Sequence, residues 1–252
     1  MYQGLHITAV IPALNEATNI STVVTNLLAL REKHATQLVD EVIVCDNGST
    51  DNTAAIAYKA GAKVVSEAHK GYGAACLKAL AAINKTDIVV FLNGDGAEDT
   101  NELILLLKSL INTNSDLVIG SRTLGERQNG AMSPHQQFGN HLASALIRLI
   151  WHHQTTDLGP YRAIRYDQLL KLDMADLDFG WTIEMQIKAI RSGMAVVEIP
   201  VRSLKTHHKS KISGTLMGTI GAGYKILSYV FYFALLDLVA KFPGQKTPFS
   251  NS

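Results

Sequence analysis

Ile88-Val89-Val90-Phe91-Leu92-Asn93-Gly94-Asp95-Gly96-Ala97-Glu98-Asp99 is the stretch whose reading decides the fold. Its first five residues are apolar and mostly β-branched or aromatic, which predicts a strand buried on both faces. Polar and acidic residues separated by glycine take over where that strand stops. In an open parallel sheet, ligands sit beyond the carboxyl ends of the strands, so chemistry is expected here. Spacing of two along an extended segment points Asn93 and Asp95 the same way, and Gly94 lets another group approach the backbone. Two oxygen-bearing side chains on one side of a glycine turn suit a hard divalent cation carrying a diphosphate. The same residues also read as a helix start, with Asp99 or Thr100 capping a helix from Asn101 to about Ile111. Both readings can hold at once.

Upstream of this turn the chain alternates strands with helices. His6 to Ile11 is a first strand, left through Pro12-Ala13-Leu14-Asn15-Glu16. A helix is predicted from about Thr18 to Lys33, with Ile20, Val23, Val24, Leu27, Leu28 and Leu30 at helical spacing. Glu41 to Cys45 is a second strand, ending in Asp46-Asn47-Gly48-Ser49-Thr50-Asp51, where Asp51 or Thr50 caps a helix to about Ala60. Ala62 to Ser66 is a short strand, and Lys70-Gly71-Tyr72-Gly73 opens an alanine-rich helix to about Asn84. Asp116 to Gly120 follows as a fifth strand. This rhythm predicts an α/β fold, a mainly parallel central sheet flanked by helices, with right-handed crossovers.

After Arg122 the rhythm changes. Leu124 to Met132 reads as a mobile loop, followed by a helix from about His135 to His153. Thr155 to Arg165 is extended with a Gly159-Pro160 turn, and a small helix runs to Asp173. Trp181 to Ser192 is helical, and Ala195 to Ile199 is a strand that Pro200 ends. Arg202 to Ser213 is a basic loop holding Lys205, His207, His208, Lys209 and Lys211. The last helix runs from about Thr215 to Lys241. The expected organisation is one domain over 1–214, a helical extension over 215–242 and a flexible tail over 243–252.

The 252 residues are 47% hydrophobic and 18% charged, the balance of a soluble globular protein, and a net charge of +1 gives no reason to expect nucleic acid as a partner. Cys45 and Cys76 lie in apolar contexts without metal-ligand spacing, so reduced, buried thiols of a cytosolic protein are expected. Met1 to Gly4 lead into a strand without a basic start or a long apolar run, so no signal peptide is expected. The most apolar segment, Ile226 to Leu236, falls short of the roughly 20 residues that a spanning helix needs.

Five motifs in order carry a family resemblance over about residues 6 to 230. They are Ile11-Pro12-Ala13-Leu14-Asn15-Glu16, Asp46-Asn47-Gly48-Ser49-Thr50-Asp51, Lys70-Gly71-Tyr72-Gly73, Asn93-Gly94-Asp95 and Ser210-Lys211-Ile212-Ser213-Gly214-Thr215. With them the chain resembles a family 2 glycosyltransferase of the GT-A fold, in the branch of dolichyl-phosphate mannose and glucose synthases and their bacterial relatives. The resemblance implies a nucleoside pocket lined by Pro12, Ala13, Asn15 and Glu16, with Glu16 accepting from the ribose hydroxyls. Asp46 would accept from the base edge, beside Asn47, while Gly48 and Ser49 shape the turn. Lys70 would lie near the nucleotide, and Gly71 would permit close approach. Asn93 and Asp95 would hold Mg²⁺ or Mn²⁺ next to Gly94. Ordinary structural readings stand beside these: helix capping for Ser49, Thr50 and Asp51, and a solvated charge for Lys70.

The chain departs from its relatives at the most chemical point. Most members of the family it resembles carry two aspartates around one residue in the central turn, often followed two positions on by a glutamine; here Asn93 and Ala97 occupy the first aspartate and glutamine places. An asparagine carbonyl binds a cation without charge, so Asp95 becomes the principal ligand. Glu98 and Asp99 are near enough to assist through water. The basic loop, with Arg202, His207, His208, Lys209 and Lys211, could stabilise the leaving diphosphate or an acceptor phosphate, or simply be a solvated surface. Glu184 and Asp157 are the carboxylates expected to take a proton from a hydroxyl acceptor; capping, or a salt bridge to Arg162 or Arg165, is the alternative for Asp157.

The function these implications add up to is inverting hexose transfer from a UDP- or GDP-sugar to a polyprenyl phosphate or another small acceptor. A nucleotide-sugar binding protein with a decayed metal site, or a sugar nucleotidyltransferase, is the rival. A nucleotidyltransferase would carry a glycine-rich, arginine-containing loop after its first strand, and Pro12-Ala13-Leu14-Asn15-Glu16 is not one. The aromatic-rich last helix, with Tyr224, Tyr229, Phe231, Tyr232 and Phe233, is read as packing on the sheet or a second subunit, or as lying on the cytoplasmic membrane face.

Overall fold

The computed structural model describes residues 1–32, 36–205 and 216–240, with side chains in the last stretch from 223 onward. Seven strands among these residues form one sheet: β1 Ile7–Ala13, β2 Glu41–Asp46, β3 Lys63–Ser66, β4 Ile88–Phe91, β5 Leu117–Ser121, β6 Arg162–Arg165 and β7 Val196–Pro200. Their order is β3-β2-β1-β4-β6-β5-β7. The block β3-β2-β1-β4 is parallel, β7 is parallel to β5, and β6 alone runs antiparallel to its neighbours. The described residues include eight helices: α1 Ile20–Ala29, α2 Thr53–Lys59, α3 Tyr72–Ala81, α4 Leu103–Asn112, α5 Pro134–Trp151, α6 Tyr166–Lys171, α7 Trp181–Arg191 and α8 Leu216–Ala240.

The continuous apolar run of β4 has the cause expected for a central strand. Ile88 and Val90 enter one core with Ile7, Ala9 and Ile11 of β1 and the buried faces of α1 and α4. Val89 and Phe91 enter the opposite core with Cys76 of α3 and Met185 of α7. There Phe91 meets Trp181 edge-on at 5.9 Å between centroids, a geometry worth about 1 kcal/mol beyond area burial. Helix α1 buries Ile20, Val23, Val24 and Leu27 as its spacing predicts. It ends at Ala29, because Leu30 is already extended; the predicted end at Lys33 lies outside the described residues. Asp99 is the cap anticipated for the next helix: its side chain accepts from the Asn101 amide and starts a 3₁₀ turn, Thr100–Glu102, that leads into α4.

The chain passes from β1 to β2 to β3 and then crosses back to place β4 on the other side of β1. That reversal opens a crevice at the carboxyl ends of β1 and β4, the place where ligands bind in such sheets. A Cβ on Gly94 would lie 3.2 Å from Ile20 Cδ1 and 3.5 Å from both Ala13 Cβ and Glu16 Cγ, so the two loops close on each other there.

Two expectations are corrected. The stretch read as a mobile loop, Leu124 to Met132, is pinned: the Gln128 amide donates to Ser203 O, and the Ser203 amide to Glu126 O. The last helix has nearly its predicted bounds, but its apolar stretch is longer than Ile226 to Leu236. It runs 25 residues, and its stretch Gly223–Ala240 is long and apolar enough to cross a membrane, with 11% of it buried. The segment read from the sequence ends at Leu236, just before Asp237. Asp237, however, takes the Trp151 Nε1–H at 2.7 Å and the Arg191 guanidinium at 2.7 Å, so it does not end the helix. Val230 and Phe233 of α8 share a third core with Ala143 and Ile147 of α5 and Ile183 and Ile187 of α7.

Candidate active site

The loops after β1 and β2 are laced together before any ligand arrives. Asn15 sits in the left-handed region (φ 52°), which asparagine tolerates better than most residues. Its amide donates to Ser49 Oγ at 2.8 Å, and its Oδ1 accepts from the Thr50 amide at 2.7 Å. The Glu16 amide donates to Thr53 Oγ1 at 2.7 Å. Pro12 and Ala13 are buried at the end of β1, paired with Cys45 and Asp46. Asp46 ends β2 with a buried Oδ1 that has no hydrogen-bond partner among the described residues. An acceptor so placed calls for an outside donor. Gly48 (φ 77°) makes the turn, and a Cβ there would lie 4.0 Å from Lys70 Cε, so the exposed Lys70 arches over it.

Two of the expected binders have another task. Asn47 is buried; its Nδ2 donates to Glu67 O and His69 O, and its Oδ1 takes the Gly71 amide at 2.8 Å. It clamps the loop that carries Lys70. Gly71 does permit a close approach, but by protein: a Cβ there would lie 2.0 Å from Leu177 O, and one on Gly73 1.9 Å from Asp176 O. The first amides of α3 accordingly serve that loop, Gly73 donating to Asp178 O and Ala74 to Leu177 O, rather than a phosphate.

In the central turn, Asp95 Oδ1 accepts from the Ala97 amide at 3.0 Å, which fixes its carboxylate. Asn93 turns its amide nitrogen to Glu98 Oε1 at 3.4 Å, and its backbone N–H donates to Glu98 Oε2 at 3.2 Å. Glu98 is buried, and burial first, then the Asp95 charge, pushes its carboxyl up to about 8. It therefore does not wait in solvent to assist through water. Asp99 is likewise engaged, by the Asn101 amide and Arg202. No group of three or more His, Cys, Asp or Glu side chains arranged to hold a metal ion occurs among the described residues. One carboxylate and one amide carbonyl nevertheless make a hard oxygen set, which fits a divalent cation completed by diphosphate oxygens.

Beside this turn lies an ion pair that the sequence reading missed. Arg122, at the carboxyl end of β5, is gripped by Asp157: Nη2 to Oδ1 at 2.7 Å, Nε to Oδ2 at 2.9 Å and backbone N to Oδ2 at 2.7 Å. Burial works against the guanidinium charge, but the Asp157 carboxylate outweighs it, and Glu98 and Asp95 add to the effect, so Arg122 is held above its ordinary pKa. The strand-end rule that singled out Asp46 and Asp95 would have found Arg122 too. Burial also raises the Tyr72 hydroxyl well above its usual range, helped by Cys76, Glu98 and Asp95.

The proposed partners of Asp157 are thus corrected: it pairs with Arg122, while Arg162 is buried and donates to Gly159 O, Thr182 O and Gln186 Oε1. Glu184, the other carboxylate expected as a base, is engaged by other groups. It is 2% exposed, accepts from the Ala175 and Asp176 amides, and pairs with Lys188 at 2.8 Å. It shapes the loop that seats Gly71 and Gly73. Arg202 is tied to Asp99 at 2.7 Å and Glu102 at 3.0 Å, so its charge is engaged by two carboxylates. His207, His208, Lys209 and Lys211, and the motif from Ser210 to Thr215, lie outside the described residues.

A mainly parallel sheet with a polar crevice at its switch point, one fixed carboxylate in a glycine turn and a buried acceptor at the neighbouring strand end defines a GT-A nucleotide-diphospho-sugar transferase. Residues 8–172 match the model of the family Glycosyl transferase family 2, and the chain belongs to that family and is a glycosyltransferase. It is similar to an uncharacterized glycosyltransferase of Mycobacterium tuberculosis, 32% identical over 222 residues, 86% of this chain and 94% of that protein. A 100-residue stretch is 41% identical to glucosyl-3-phosphoglycerate synthase of the same organism, over 36% of this chain and 29% of that protein. The crystal structure of glucosyl-3-phosphoglycerate synthase from that organism with Mn²⁺, uridine diphosphate and phosphoglyceric acid superposes with a TM-score of 0.70. That match is at 23% identity over 92% of this chain and 79% of the other, and shows the shared fold.

Proposed function

We propose that this glycosyltransferase moves a hexose, with inversion, from a UDP- or GDP-sugar to a polyprenyl phosphate at the cytoplasmic membrane face. The observation that carries the acceptor class is the state of the two carboxylates expected to act as base. Asp157 is engaged by Arg122, and Glu184 by two amides and Lys188. A neutral hydroxyl needs a base as the anomeric carbon is attacked, whereas a phosphate oxygen is already anionic and needs none.

The donor's base edge donates to the unpartnered Asp46 Oδ1, and its ribose hydroxyls donate to Glu16. Asp95 and the Asn93 carbonyl would hold Mg²⁺ or Mn²⁺, which would supply neutralisation of charge on the diphosphate. Arg122, fixed by Asp157, adds a preorganised positive charge on the same side. Helix α8 brings the site to the membrane. Tyr224, Phe231, Tyr232, Leu235, Leu238 and Val239 are exposed, while its charges Lys225 and Asp237 are paired with Asp176 and Arg191 of the domain. A helix held to its domain on one face and apolar on the other suits an interfacial position better than a free span.

A second reading has a specific observation behind it: the stretch shared with glucosyl-3-phosphoglycerate synthase favours a soluble phosphorylated acid as acceptor. Both acceptors are anionic, and one assay separates them. UDP- and GDP-sugars, selected by thermal shift with Mg²⁺ or Mn²⁺, are offered with polyprenyl phosphate in vesicles or with phosphoglycerate, and product is followed by mass. Transfer to the lipid supports the proposal, and transfer to phosphoglycerate alone favours the second reading. Nucleotide binding without transfer under any divalent ion would identify a binding protein with a decayed site.

A further inference from the structure

We propose that Glu98 is a positioning residue for Asn93, and that positions 93 and 98 act as one exchangeable pair in the cation turn. This rests on the cation reading above and deepens it. Glu98 Oε2 accepts the Asn93 backbone N–H at 3.2 Å, and Oε1 accepts its side-chain amide at 3.4 Å. The two oxygens of the Glu98 carboxyl lie in one plane, spaced to meet both donors. With its nitrogen held there, the Asn93 amide presents its carbonyl oxygen, the atom a hard cation needs, away from Glu98.

The backbone under Glu98 is itself fixed. Residue 98 forms a bridge with Ser203, and the Leu204 amide donates to Ala97 O at 2.9 Å. Glu98 is 8% exposed, so it cannot swing out to be replaced by water. Asparagine at 93 thus comes with a partner that meets both of its N–H donors. An aspartate at 93 would set two carboxyl groups against each other at the same separation, so that one of them must keep a proton, whereas aspartate with glutamine at 98 would restore donor to acceptor with the polarity reversed.

The test is a cycle of the full chain, Asn93→Asp, Glu98→Gln and the double variant, each checked for folding by unfolding in urea. Bound Mn²⁺ is read by electron paramagnetic resonance with uridine diphosphate present, so the readout is independent of turnover. Glu98→Gln is expected to weaken Mn²⁺ about tenfold, because glutamine offers one acceptor and turns the Asn93 amide round. Asn93→Asp in the Glu98 background gains little, and the double variant binds at least as tightly as the unaltered chain. Additive effects, or a Glu98→Gln protein with unaltered Mn²⁺ affinity, would overturn the pairing. If the unaltered chain holds no Mn²⁺ beside the nucleotide, the cation reading fails first and this proposal with it.

Discussion

The Asp157 carboxylate receives both the backbone amide and the guanidinium of Arg122 across 35 residues of chain, and it is fully buried. One side chain therefore sets the backbone at the end of β5 and the direction of the charge that leaves it. Ser121 Oγ and Thr156 Oγ1, 2.7 Å apart, close the same junction one residue earlier on each side. Asp157→Ala should lower stability by about 3–5 kcal/mol, since it leaves a partly buried cation without its partner. Arg122→Met leaves the fully buried Asp157 carboxylate without its cation and should cost a similar amount, whereas the double variant should cost less than the sum of the two. Additive costs in urea unfolding would show that packing, and not the ion pair, holds this junction.

Asp46 offers the opposite case, a buried acceptor that the protein leaves unsatisfied. Asp46→Ala should weaken nucleotide binding by about 1–3 kcal/mol, measured by calorimetry, while the unfolding midpoint stays level or rises. Unchanged affinity would remove Asp46 from the nucleoside pocket.

Gly73 packs against the carbonyl of Asp176, and a Cβ there would stand 1.9 Å from that oxygen. Gly73→Ala must push the loop off α3 and should lower Tm by several degrees, whereas Gly139→Ala, where nothing lies within 4 Å, should not lower it. If Gly73→Ala unfolds like the unaltered chain, the loop is not seated as described.

Burial and the neighbouring Asp95 charge push the Glu98 carboxyl from an ordinary 4.5 up to about 8. Between those values the folded chain keeps a proton that the unfolded chain has released, so stability falls as pH rises through that window. The loss is complete once the pH passes the folded value. In chelator-treated protein, urea unfolding from about pH 5 to about pH 8 should show this slope, and Glu98→Gln should flatten it. The same slope in both proteins would mean that another group carries it.

The exposed side chains of α8 should bind the full chain to vesicles. Flotation with anionic liposomes is expected for the unaltered protein and should be lost with Phe231→Ser, Leu235→Ser and Leu238→Ser combined, all outside the packed face. Flotation by neither protein, both folded, would point to a soluble acceptor.

The alternation of strand and helix, the two-sided burial of β4, the apolar stripe of α1 and the Asp99 cap were all legible in the sequence. Each rests on contacts within one element or on a spacing that one element imposes. The same holds for the polar strand ends, which located the crevice through Asp46 and Asp95. What each charged or amide side chain faces is another matter, because its partner comes from a loop far along the chain. Asn47 reaches Gly71, Arg122 reaches Asp157, Arg202 reaches Asp99, and Asp237 reaches Trp151 and Arg191. Residue type and spacing could nominate Asp157, Glu184 and Arg202 for chemistry, and tertiary structure assigned them to holding loops in place. A buried charge must find a partner wherever the folded chain puts one, and only the topology of the sheet decides which loops meet.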